Sequence, residues 1–130
     1  MSRASAKDLV TFMEDEASEY LRSVAHFDGK DRKVLYLEDD IEDQYSEDEL
    51  EEVFDSLFFE SFDRSHQEHM YPHGQLNCIV RCFDEALELH FPHSDTAGTA
   101  VALEPEATSD LEGLVDDCLN ELYGEYPPTE

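Results

Sequence analysis

The chain has no tryptophan, three cysteines, and only eight lysines and arginines among 130 residues. Cys78, Cys82 and Cys118 are odd in number and stand at apolar-periodic positions, so they read as small core residues of a reducing compartment rather than as a disulfide framework. No apolar run approaches the roughly 20 residues that a membrane-crossing helix needs, and the opening MSRASAKDLVTF has no apolar signal region. A cytoplasmic location is the expectation, with no membrane association. The shortage of positive side chains removes the groups that neutralise phosphate, which argues against direct nucleic-acid binding. Catalytic and nucleotide signatures are missing too: there is no CxxC, HExxH, GxGxxG or Walker loop, and Gly98-Thr99-Ala100 is too short to cradle a phosphate. A non-enzymatic protein without a cofactor follows as the expectation.

What the chain does have is acid. Thirty-four Asp and Glu give a formal net charge of -26, and they are spread along periodic segments rather than gathered in a block. Such a surface repels itself unless salt screens it, so the composition predicts a salt-in halophile. Hydrophobic residues still make up 40% of the chain and aromatics 11%, enough for a packed core. One α+β domain over residues 1–124 is expected, followed by a flexible acidic tail at 125–130.

Local periodicity supplies the elements. Leu9, Phe12, Met13, Ala17, Tyr20 and Leu21 share the face of a first helix over residues 7–22. Two short strands, 23–27 and 33–37, flank Asp28-Gly29, which supplies the positive-φ residues of a tight hairpin. Ser46 and Glu49 form a capping box ahead of Leu50, Val53, Phe54, Leu57, Phe58 and Ser61 on a second helix, with Phe59 and Phe62 off the main stripe. Residues 63–74 read as a polar connector. Strands follow at 76–83, 86–91 and 99–103; a tight bend at Asp84-Glu85 pairs residues whose numbers sum to 169 and sets Arg81 against Glu88. That register turns Cys78, Val80 and Cys82 with Leu87, Leu89 and Phe91 toward one core. Ser109 and Glu112 then cap a third helix that carries Leu111, Leu114, Val115, Cys118, Leu119 and Leu122 and ends at Gly124.

The order α-β-β-α-β-β-β-α resembles the roadblock and longin-like group. The resemblance implies a five-stranded antiparallel sheet with helices one and three on one face and helix two on the other. It also implies a homodimer whose seam runs along the middle helix and third strand, which here points to Phe58, Phe59, Phe62 and Ile79. At residue level, RSHQEHMYPHGQLNCIVRCFDEALELHFPHS and GTAVALEP look like a small family of acidic haloarchaeal proteins without an assigned function. Together these imply a dimeric adaptor or regulatory domain that binds an unidentified protein partner.

One stretch, HQEHMYPHGQLNCIVRC, gathers three histidines and two cysteines. His66, His69 and His73 with Arg64, Arg81, His90 and His93 form the one concentration of positive or protonatable groups, suited to an acidic partner segment or an anion. The alternative is a small-molecule or metal-ion sensor in which His66, His69 and His73 hold zinc, whose preference for imidazole nitrogen fits them. Pro72 keeps the three off one helix, and a structural zinc site normally closes with paired ligands, so the stretch reads first as a hinge and surface patch. Cys78 or Cys82 beside a histidine would be the candidate nucleophile, but a cysteine facing a core stays a thiol.

Overall fold

The computed structural model describes residues 6–17, 20–38, 45–106 and 111–123. Its elements are α1 (Ala6–Ala17), β1 (Leu21–Asp28), β2 (Asp31–Leu37), α2 (Glu47–Phe62), α3 (Arg64–Met70), β3 (Ile79–Cys82), β4 (Leu87–Ser94), β5 (Ala97–Leu103) and α4 (Leu111–Tyr123). The five strands form one antiparallel sheet in the order β2-β1-β5-β4-β3. The α+β layout expected from the sequence is the layout observed, with one further short helix. The C-terminal tail, Ser109 of the second capping box and Gly124 lie outside the described residues.

The central strand β5 shows why two layers of helix fit this sheet. Thr99, Val101 and Leu103 point to one side, Gly98, Ala100 and Ala102 to the other, and all six are buried. On the large-residue side, Leu9 of α1 and Cys118, Leu119 and Leu122 of α4 close over Leu21, Val24, Leu87, Leu89, Phe91, Val101 and Leu103. Fully burying each such leucine or phenylalanine contributes about 1.5–3 kcal/mol, which makes this the main core. On the small-residue side Phe54 and Leu57 of α2 pack on Phe27 and Ala100 in a smaller cluster.

The hairpin register is as expected: Ile79 faces His90, Val80 faces Leu89, Arg81 faces Glu88 and Cys82 faces Leu87. The Ser46-Glu49 capping box also forms, with the Ser46 side chain accepting from the Glu49 backbone N–H at 3.2 Å and the Glu49 carboxylate from the Ser46 N–H at 2.8 Å.

Other boundaries differ for physical reasons. Leu21 and Arg22 belong to β1, not to the first helix. Register shifts between Leu21 and Ser23 and between Val24 and Ala25 let Leu21 and Val24 share one core, and that three-residue spacing imitates a helix. At the hairpin tip the positive φ falls on Gly29 alone, at 63°, while Asp28 pairs with Asp31 as strand. Pro92 does not end β4; a bulge between Pro92 and Ser94 carries the strand to Ser94, which shortens the expected loop to Asp95-Thr96. The polar connector contains α3, which stops at Met70 before Pro72. β3 lies at the sheet edge, beyond the cover of α1 and α4, so Val80 is 37% exposed and Cys82 is exposed rather than buried.

Candidate functional site

Two polar clusters occupy opposite faces of the sheet. On the α2 side His90 is 1% exposed, its Nδ1 2.7 Å from Glu60 Oε1. A carboxylate can only accept, so Nδ1 carries the proton. Burial, reinforced by Arg81, pushes the His90 pKa down to about 4, so Nε2 is an acceptor. The Ser61 hydroxyl has two acceptors for its single proton, the Ala97 carbonyl at 3.1 Å and His90 Nε2 at 3.3 Å. Glu60 also pairs with Arg81.

The sequence Ser61, His90, Glu60 has the connectivity of a nucleophile, a base and its orienting carboxylate. Ser61, however, is fully buried, so no substrate reaches its oxygen. The cluster fastens α2 to β4 and β5. Gly98 makes room for it: a Cβ there would lie 2.6 Å from His90 Nε2 and 3.0 Å from the Phe27 ring.

On the other face a chain of hydrogen bonds links three elements and α4. His93 Nδ1 is 2.6 Å from the Tyr123 hydroxyl, His93 Nε2 is 2.7 Å from Thr99 Oγ1, and Thr99 Oγ1 is 2.9 Å from His26 Nδ1. Thr99 has one proton to give, so it donates to one imidazole and accepts from the other. Burial lowers the His93 pKa to about 4, with His26, His90 and Arg64 adding to it, and burial lifts the Tyr123 phenol to about 12. His26 is lowered by burial against the pull of Asp28 and Asp31. Sequence reading missed Glu60, Ser61, His26, Thr99 and Tyr123 as partners. The one available signal was the placement of His26 within the expected strand 23–27.

The histidine patch expected from the sequence is divided by the fold. His66 and His69 stand exposed on α3, and His73 is exposed beyond it with its ring stacked on Tyr71. Arg64 lies near Glu68, whose carboxylate accepts from the Leu76 N–H at 2.7 Å and so ties α3 to the approach to β3. Arg81 and His90 meet at Glu60, whereas His93 is on the opposite face. Among the described residues no three His, Cys, Asp or Glu form a group that could hold a metal ion. Cys78 is held as a thiol, burial pushing its pKa up to about 12.

The remaining surface features lie along α2 and the β3 edge. Phe59 and Phe62 are 68% and 62% exposed. A groove bounded by α2, the start of α3 and Ile79 contains Phe59, Glu60, Asp63, Gln67 and Cys78. Phe58, expected in the same seam, instead packs inward on Phe27 with ring centroids 6.3 Å apart. A second groove, of about 420 Å³, opens between the earlier turns of α2 and the β3-β4 bend.

These features make a small α+β domain with one sheet, two internal polar ties, and exposed aromatic side chains on α2. The chain belongs to a family described as a domain of unknown function (DUF7522), whose model matches residues 7–123. Neither a curated protein nor a solved structure matches it. No helix among the described residues is long and apolar enough to cross a membrane.

Proposed function

We propose that this domain is a dimerising protein-interaction module, an adaptor or regulatory domain of a salt-rich cytoplasm, and that two copies join along α2 and β3. The observation that carries this reading is the pair Phe59 and Phe62, both more than half exposed on α2, with Phe59 sharing a groove with Ile79 of the edge strand β3. The two sheet edges are treated differently. Strand β2 carries Asp31, Arg32 and Lys33, charges of the kind that guard an edge against pairing. Strand β3 reads IVRC, and its side away from β4 has no strand neighbour in the sheet. An antiparallel β3-β3 pairing about a two-fold axis would extend the sheet and bring the two α2 helices together, as the roadblock likeness implies.

Haloarchaeal origin agrees with the charge of -26 and with the small acidic family that the sequence resembles. Buried Ser61 and the protonated Cys78 thiol favour binding over catalysis as the domain's role. The test is sedimentation velocity in concentrated KCl on the native chain and on a Phe59→Ser, Phe62→Ser double variant. The expected result is a native dimer and a folded monomeric variant. A native chain that is monomeric at high concentration, or a dimer untouched by the double change, overturns the reading.

A further inference from the structure

The groove beside the earlier turns of α2 has the size and chemistry of a small-ligand site. Its volume of about 420 Å³ falls within the range of about 300–1,000 Å³ usual for such sites. Val53, Leu57 and Phe83 supply apolar wall, and Val53 and Phe83 are 41% and 57% exposed, so this wall is open to solvent. The floor is polar. Arg22 from β1 and Arg81 from β3 enter it from either side of Glu88 on β4.

Two guanidinium groups in one groove stand out in a chain with eight basic residues against 34 acidic ones. Among the described residues Arg22 bonds Glu104 through one nitrogen at 2.9 Å, Arg81 pairs with Glu60 through one nitrogen, and both attract Glu88 between them, while Glu85 stands at the rim. A guanidinium has five N–H donors arranged to meet a carboxylate, so both retain donors for a second partner. Burial raises the Glu88 pKa in spite of both arginines. This groove sets two arginines against Glu85 and Glu88, whereas the groove beside Phe59 is lined by Glu60 and Asp63 with no basic residue.

We infer that the groove between α2 and the β3-β4 bend binds a small monocarboxylate with an apolar tail, its carboxylate held by Arg22 and Arg81 and its tail lying on Val53, Leu57 and Phe83. The two parts of the groove require both parts of the ligand. An inorganic anion satisfies the arginines and leaves the apolar wall wet, while a neutral alcohol of the same shape covers the wall and leaves the donors unmet. The groove shares α2 and β3 with the proposed seam, but neither Phe59 nor Phe62 lines it, so the double serine variant of those two residues leaves its walls in place.

The experiment is titration of the full chain in concentrated KCl with 3-phenylpropionate, followed by two-dimensional amide NMR. Inorganic phosphate and 3-phenylpropanol serve as comparison probes. Saturable shifts confined to the groove are expected with the carboxylate and not with either comparison probe. Arg81→Gln and Arg22→Gln should each weaken binding about tenfold or more, the usual scale for losing a charge-assisted hydrogen bond. Phe83→Ser, at an exposed position that leaves the fold intact, should weaken it as well. No saturable shift in the native chain, equal binding of phosphate or of the alcohol, or undiminished binding by all three variants would overturn the proposal.

Discussion

At the scale of single residues, the two buried histidines on β4 make stability depend on pH. His90 and His93 stay neutral in the folded chain down to about pH 4, because burial disfavours the imidazolium. An unfolded chain protonates them near the ordinary value of about 6.5. Between those limits the unfolded state binds more protons, so stability falls as pH falls, by up to about 1.4 kcal/mol per unit for each histidine. Glu88, its pKa raised by burial, acts with the opposite sign. Urea unfolding in concentrated salt should therefore show a midpoint that is flat from about pH 7 to about pH 8 and drops as pH falls from about 6.5 toward 4. A His93→Gln variant should show a shallower drop. A midpoint that does not move across this window would mean that the histidines take up protons without leaving their partners. The sequence held these residues in view but placed them in a surface patch, because residue type alone does not say on which face of a strand a histidine lies once a bulge intervenes.

Elements were legible wherever one period ran unbroken. The α2 helix announced itself through its capping box and stripe, and the β3-β4 register through a tight bend and an opposite-charge pair. They were illegible where a bulge or a proline broke the period, as at Leu21 and Pro92, and where a short helix had no apolar face, as in α3. The alternation Gly98, Ala100, Ala102 was present in the sequence as well, and its meaning appears only with α2 in place. Three small residues lower the sheet surface where the helix crosses it, and the space they leave is filled by His90 and Phe27. Gly98→Ala should cost about 1–3 kcal/mol, because both neighbours of the added methyl are about 1% exposed and neither can retreat. Thermal denaturation checks this, with Gly29→Ala as a contrasting variant. At Gly29 the left-handed backbone is strained by a side chain, yet nothing lies within 4 Å. A Gly98→Ala protein as stable as the native one would show that α2 can lift from β5 at no cost.

For the molecule as a whole, charge sets the conditions under which these contacts hold. Most of the 34 carboxylates have no cation to meet, since only eight basic residues are present. Arg32 meets Glu51 at 2.7 Å and Asp55 at 2.8 Å and sits over the Phe54 ring, while Arg81 meets Glu60, so arginines on the sheet brace the acidic α2. The exposed Arg32 pairs weaken as salt rises, each by a fraction of about 1 kcal/mol, and the half-buried Arg81-Glu60 pair weakens less. The repulsion among the unpaired carboxylates weakens at the same time, and it runs over many more pairs of charges. At about 0.1 M salt the Debye length is near 10 Å, long enough for neighbouring acids across a helix or loop to feel one another; near 1 M it is about 3 Å. The repulsive sum therefore falls further than the attractive one, and the melting temperature should climb steeply with KCl before levelling off. The smaller α2-side core, built on Phe54, Leu57, Phe27 and Ala100, has the least apolar burial to set against repulsion. At low salt α2 should loosen first, which amide exchange in α2 read against exchange in β4 and β5 would detect. A melting temperature independent of KCl, or exchange that rises equally in all three elements, would show that the carboxylate coat does not govern this fold.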